Sequence, residues 1–189
     1  MIRELIKKNR SYRRFYQEVA IGEDMLKELV ELARLSSSAG NLQPLKYILS
    51  YDTQKNSLIF QHLIWAGYLK DWPGPAEGEK PSAYIIILGD TSISKTFGCD
   101  HGIASQSILL GAIEKGLGGC IIGSIQREEL RKALRIRSIF EILLVLALGK
   151  PKETVMIETV EPSGDIKYWR DSGSVHHVPK RSLESIIIR

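Results

Sequence analysis

In 189 residues the chain has two cysteines, no CxxC pair, no GxGxxG and no GxSxG, and each absence closes off a chemistry. Cys99 and Cys120 build no disulfide framework, which is the pattern of a reducing compartment. Without GxGxxG there is no dinucleotide fingerprint, and without GxSxG there is no serine nucleophile elbow. Soft metal ligands are confined to Cys99, His62, His101, His176 and His177, with no zinc spacing among them, so no metal site is expected. The longest apolar runs, Tyr84–Leu88 and Ile142–Leu148, have the length of strands and fall far short of a membrane span. The first residues alternate charged and apolar groups instead of forming a signal h-region, so a cytoplasmic protein with no membrane partner is expected.

Charge is nearly balanced, 26 basic against 22 acidic residues, but it is not evenly spread. Arg3, Lys7, Lys8, Arg10, Arg13 and Arg14 face only Glu4 within residues 3–14, a local excess of about +5 against +4 for the whole chain. The remainder is slightly acidic, which argues against a broad nucleic-acid surface and for a local anion site. A basic-armed nucleic-acid binder is therefore the weaker alternative. At 43% hydrophobic the chain can bury one core, and with no repeat or linker to divide it residues 1–189 read as a single domain.

Periodicity predicts a short helix over Ile2 to Lys8 with Leu5 and Ile6 inward, and a clear amphipathic helix over Asp24 to Leu35. Further helices are expected over Asn56–Leu69, Gly102–Lys115 and Arg127–Leu134. Strands are expected at Leu45–Tyr51, Ala83–Leu88, Gly119–Gly123 and Ile142–Leu148, the continuous apolar runs pointing to strands covered on both faces. Residues from Lys152 onward lack helical periodicity and end in Leu183-Glu184-Ser185-Ile186-Ile187-Ile188. Such a terminus could complete its own sheet or cross to a partner. Having no evident place in its own core, it favours the crossing and a homodimer.

Four segments carry candidate chemistry. Asn9-Arg10-Ser11-Tyr12-Arg13-Arg14-Phe15 places guanidinium groups around a hydroxyl, a good oxyanion clamp or else a solvated basic face. Ser37-Ser38-Ala39-Gly40-Asn41-Leu42-Gln43-Pro44 offers hydroxyl, carboxamide and backbone groups but no acid or base. That inventory suits holding a neutral polar ligand, although by composition alone the run is an ordinary connection. Gly116-Leu117-Gly118-Gly119-Cys120-Ile121-Ile122-Gly123-Ser124 allows tight turns around a strand, with Cys120 an inert core residue. Val178-Pro179-Lys180-Arg181 is a second basic cluster that either converges on the same anion or merely solubilises the terminus. Trp65, Tyr68 and Trp72, ahead of Pro73-Gly74-Pro75, form either a lid or helix core plus surface loop.

Taken in order, NRSYRRF, LARLSSSAGNLQP, DHGIASQ, GLGGCIIG and VPKR resemble the signatures of the FMN-dependent nitroreductase-like flavoproteins along nearly the whole chain. The resemblance implies an α+β fold, a central, mostly antiparallel sheet flanked by helices, in an intertwined homodimer with exchanged C-terminal tails. It implies an FMN oxidoreductase that uses NAD(P)H to reduce nitroaromatic, quinone or similar electron-poor acceptors by a ping-pong mechanism, the flavin and no side chain carrying the catalysis. A non-catalytic flavin-binding or sensing protein of the same fold is the alternative. By position, Arg10, Ser11 and Arg13 resemble the phosphate and ribityl contacts, joined by Lys180 and Arg181. Ser38, Ala39, Gly40, Asn41 and Gln43 resemble the loop that reaches the flavin of the other subunit. Gly123 and Ser124 resemble the backbone N–H donors at the ring. Asn9 replaces a usual basic residue and Ser37 a usual proline, from which looser FMN retention is expected.

Overall fold

The computed structural model describes residues 2–160 and 164–188. Its centre is a five-stranded sheet in which β1 (Phe15–Tyr16), β5 (Phe140–Pro151), β3 (Ala83–Asp90) and β2 (Leu45–Ser50) lie in that order. The fifth strand, β4 (Gly118–Ile122), also pairs with β5. All four pairings are antiparallel.

Every residue of β3 is buried, because both of its faces are covered. Tyr84, Ile86 and Leu88 point into one core with Ile59, Trp65, Leu130, Ile142 and Val145. Their neighbours Ala83, Ile85 and Ile87 point into the other, with Leu26, Leu29, Ile108 and Leu146. The two-residue alternation of a strand thus sends one unbroken apolar run into two cores. The second core is roofed by α2 (Glu23–Arg34) and α4 (Asp100–Glu114), and the first by α3 (Thr53–Phe60) and α5 (Arg127–Ala133).

Three expectations need correcting. The helix expected over 56–69 ends at Phe60. Asp52 caps its start by accepting from the Lys55 N–H, and the chain then turns so that Leu63 bridges to Ile125. That turn puts Trp65 in the first core with Trp72 packed against it, so these two are core residues, while Tyr68 stays exposed. In α1 (Ile2–Lys8) no residue is buried, and Ile6 is exposed.

The tail differs most. Through Lys180 it is folded within its own chain, where β6 (Val155–Thr159) pairs in parallel with β8 (His176–Lys180) and β7 (Trp169–Arg170) pairs antiparallel with β8. The short α6 (Leu183–Ile186) follows, and Leu183, Ile186, Ile187 and Ile188 remain exposed. Among the described residues no helix is long and apolar enough to cross a membrane.

Gly119 shows how tightly β4 is packed, since a Cβ there would lie 2.5 Å from the Ala147 carbonyl oxygen and 2.8 Å from Leu109. The backbone oxygen cannot swing away. Gly119→Ala is expected to cost about 1–3 kcal/mol through overpacking, read as a lowered denaturant midpoint.

Candidate functional site

The N-terminal basic motif runs beside β4. Ser11 bridges in parallel to Gly119, and the Tyr12 N–H donates to the Gly119 carbonyl at 3.0 Å. The Arg10 guanidinium donates one N–H to the Ile6 carbonyl at 2.7 Å. Its Nε is buried with no hydrogen-bond partner among the described residues. A buried, unfilled guanidinium donor is costly unless an acceptor arrives, and an oxyanion is the acceptor that guanidinium geometry suits. Gly123 and Ser124 close the far end of the strand, about 13 Å from Gly119 along an extended backbone. Both are exposed. The Ser124 carbonyl accepts from the Ile64 N–H, and the Gly123 carbonyl accepts from Arg127.

The second segment is organised by a residue outside it. Asp100, buried at the first turn of α4, accepts from the Ser38 hydroxyl at 2.5 Å and from the Ala39 N–H at 3.0 Å. A carboxylate is favourably placed there by the helix dipole. The Ser38 oxygen in turn accepts from the Gln43 N–H at 2.9 Å, and the Gln43 carboxamide donates to Asn41 Oδ1 at 3.1 Å. The loop turns through three left-handed residues, Gly40 (φ 56°), Asn41 (φ 54°) and Gln43 (φ 52°). Only glycine adopts that region without strain, and asparagine tolerates it better than most residues. The loop and the C-terminal part of α2 wall a cavity of about 440 Å³ that also reaches Tyr47. Burial, with Asp100 adding to it, pushes the Tyr47 phenol up to about 12.

The two segments meet α4 from different directions, Asn9 through a 3.3 Å bond to Gln106 and Ser36 through a 2.7 Å bond to Ser107. Arg13 turns away from Arg10 toward the C-terminal sheet. Its guanidinium lies 3.2 Å from His176 Nε2 and 4.8 Å over the Tyr168 ring. Lys180 and Arg181 are exposed, and the contacts joining the C-terminal sheet to the basic motif run through His176, Tyr168, Arg170 and Glu153. Asp100 opens the DHGIASQ stretch and His176 is one of the soft-ligand candidates, but neither they nor Tyr168, Arg170 and Glu153 are given a site role by the sequence. Asp100 opens a helix, which is a usable signal. Glu153 follows β5 in a lysine-rich stretch and gives none. Among the described residues no group of three or more His, Cys, Asp or Glu could hold a metal ion. Burial raises the Cys120 thiol, as suits a core residue.

The nitroreductase family model matches residues 6–74 and 81–150. The chain belongs to the nitroreductase family. It is 30% identical over 159 residues to a Methanothermobacter thermautotrophicus protein, covering 79% of this chain and 77% of that one. It is 28% identical over 148 residues to an Archaeoglobus fulgidus protein, covering 74% and 80%. Both relatives carry the provisional name NADH dehydrogenase/NAD(P)H nitroreductase. An FMN-dependent nitroreductase of Clostridium difficile shares the fold, with a TM-score of 0.68 at 21% identity over 100% of this chain and 98% of that one. As a nitroreductase-type oxidoreductase, the protein carries its C-terminal sheet beyond the segment that the family model covers.

Two outcomes test this geometry. Asp100→Ala strands the Ser38 hydroxyl and the Ala39 N–H, with an expected loss of about 2–3 kcal/mol and faster amide exchange across 38–43. Burial, then the nearby Arg13, Arg170 and His177, lower the His176 imidazole from 6.5 to about 4. Between those two values the unfolded chain binds a proton that the folded chain does not, so stability falls as pH drops through that window. His177 acts in the opposite sense. Glu158 first and then Asp171 raise it, so its contribution is present below 6.5 and is lost as pH rises through its folded value. Melting temperature followed from pH 7 to 4 is expected to fall less for His176→Gln than for the wild type.

Proposed function

We propose that this nitroreductase-family protein, one domain over residues 1–189, is an FMN-dependent oxidoreductase using NAD(P)H. Its acceptors are nitroaromatic, quinone or similar electron-poor compounds, reduced in a ping-pong cycle. The observation that carries the reading is the buried, unpartnered Arg10 Nε at one end of β4, with the exposed Gly123 and Ser124 at the other. A phosphate-bearing ligand with a flat ring at its far end suits that span. The relatives' names as NAD(P)H nitroreductases and the fold neighbour's as FMN-dependent support the choice of donor and cofactor.

When bound, FMN supplies the chemistry of accepting a hydride from NAD(P)H and returning it to the acceptor. The chain's own part is to bind and orient. Arg10 and Ser11 hold the phosphate, with Arg13 fixing the segment and Lys180 and Arg181 adding positive charge. Gly123 and Ser124 offer backbone groups at the ring, where fixed donors stabilise developing negative charge. The loop of Ser38, Ala39, Gly40, Asn41 and Gln43 completes the site from a second copy of the chain, in a homodimer.

Two features support that dimer. β2 ends the sheet order with an unpaired outer edge among the described residues, and Leu183, Ile186, Ile187 and Ile188 present apolar side chains that the described residues leave exposed. Sedimentation of the full chain is expected to give a dimer, and a truncation after Ser182 is expected to shift it toward monomer.

The purified protein, incubated with FMN and freed of excess, is expected to show flavin bands near ~450 nm that NADH or NADPH bleaches without oxygen. A protein that takes up no FMN would overturn the reading. Bound FMN that neither donor bleaches would favour a sensing role. Arg10→Ala is expected to weaken FMN binding by roughly 10- to 100-fold, the loss of one or two charge-assisted hydrogen bonds.

A further inference from the structure

Glu153 lies just past the end of β5, outside the segment that the family model covers. Its side chain is fully buried, which is unusual for a carboxylate unless its oxygens are filled. Both are. Oε1 accepts from two successive backbone amides, Arg13 N–H at 2.5 Å and Arg14 N–H at 3.2 Å. Oε2 accepts from the Arg170 guanidinium of β7 at 2.9 Å. The adjacent Lys152 N–H donates to the Arg14 carbonyl at 2.9 Å, so Glu153 continues the pairing of β1 with β5 by a side chain where the strand pairing ends.

One carboxylate therefore touches the backbone of the basic motif and the C-terminal sheet together. A second link runs parallel to it, from the Arg13 guanidinium to Tyr168 and His176 on and beside the same small sheet. The backbone that Glu153 grips is the one that carries Arg10 and Ser11 along β4. A shift of this backbone would move the Arg10 donor as well, since only Ser11 and Tyr12 lie between and the Arg13 guanidinium donates back to the Ser11 carbonyl at 3.2 Å.

We infer that Glu153 is a positioning residue for the anion-binding segment, and that through Arg170 it makes this segment and the C-terminal sheet one cooperative unit. The inference rests on the FMN reading for the identity of the ligand, but the coupling itself does not. Linkage makes the effect reciprocal: a phosphate-bearing ligand that orders Arg10–Arg14 orders the small sheet as well, and loosening the sheet weakens the ligand. The unit assigns a role to the C-terminal sheet, which steadies the clamp from outside the residues that the family model matches.

Amide hydrogen exchange on the full-length protein, with FMN affinity measured alongside by quenching of flavin fluorescence, tests this. In the ligand-free wild type, Arg13 and Arg14 are expected to open together with residues 169–180, at rates distinct from the β3–β5 core. Arg170→Met, which keeps the two backbone contacts of Glu153, is expected to speed exchange in both places while leaving the core unchanged. This arm holds whether or not FMN binds, so its failure is separate from a failure of the functional reading. Adding FMN is expected to protect 10–14 and 169–180 in parallel. Glu153→Gln is expected to weaken FMN binding about tenfold, and Arg170→Met about threefold. Independent opening of the two segments, FMN protection confined to 10–14, or a Glu153→Gln protein that folds and binds FMN like the wild type would each overturn the inference. If Glu153→Gln does not fold, the wild-type and Arg170→Met exchange patterns still decide it.

Discussion

β5 is the constraint on which the other elements hang. Its twelve residues pair with β1 at one end, with β3 along most of the length, and with β4 over the stretch from Val145 to Gly149. Because it is central and apolar on both faces, neither core closes unless it is in register. The Ile87/Leu88 irregularity in its pairing with β3 absorbs the mismatch between two such long strands. The position of β4 beside β5 decides where Gly119 and Gly123 lie, and through Gly119 it decides where the basic motif can run. The basic segment is thus placed by the sheet's central strand and only then trimmed by side chains.

Around that frame the candidate site is held by two carboxylates. Asp100 ties the polar loop to the start of α4, and Glu153 ties the basic motif to the C-terminal sheet. Each is buried, Asp100 filling its oxygens with a hydroxyl and a backbone donor and Glu153 with backbone and guanidinium donors, which is the condition under which a buried charge is tolerated. Both therefore fix backbone orientation with more precision than loop composition could. For an oxidoreductase that leaves electron transfer to a bound cofactor, rigid placement is the main task left to the polypeptide.

How much of this was legible depended on the range of the signal. The amphipathic α2 showed itself through Leu26, Leu29 and Ala33, which the structure buries. The unbroken run of β3 announced a strand covered on both faces. The family's ordered motifs carried fold class and activity class. The aromatic residues after Phe60 fit a helix locally, while the turn that ends the helix depends on a bridge from Leu63 to Ile125, far along the chain. The pairing of the tail up to Lys180 leaves no local signal, because β6, β7 and β8 are short and pair with one another, with no periodicity long enough to notice.

By itself, then, the sequence determined the elements whose spacing is local, the polar connection around Gly40, the basic excess near the N-terminus, and the family. Tertiary structure alone decided which charges are organising ones. Glu153 meets Arg13 across 140 positions and His176 meets Arg13 across 163, and no local pattern encodes contacts at such separations. They arise only after β5 has brought the two ends of the chain to the same edge of the sheet, where burial turns an ordinary glutamate into a fixed point.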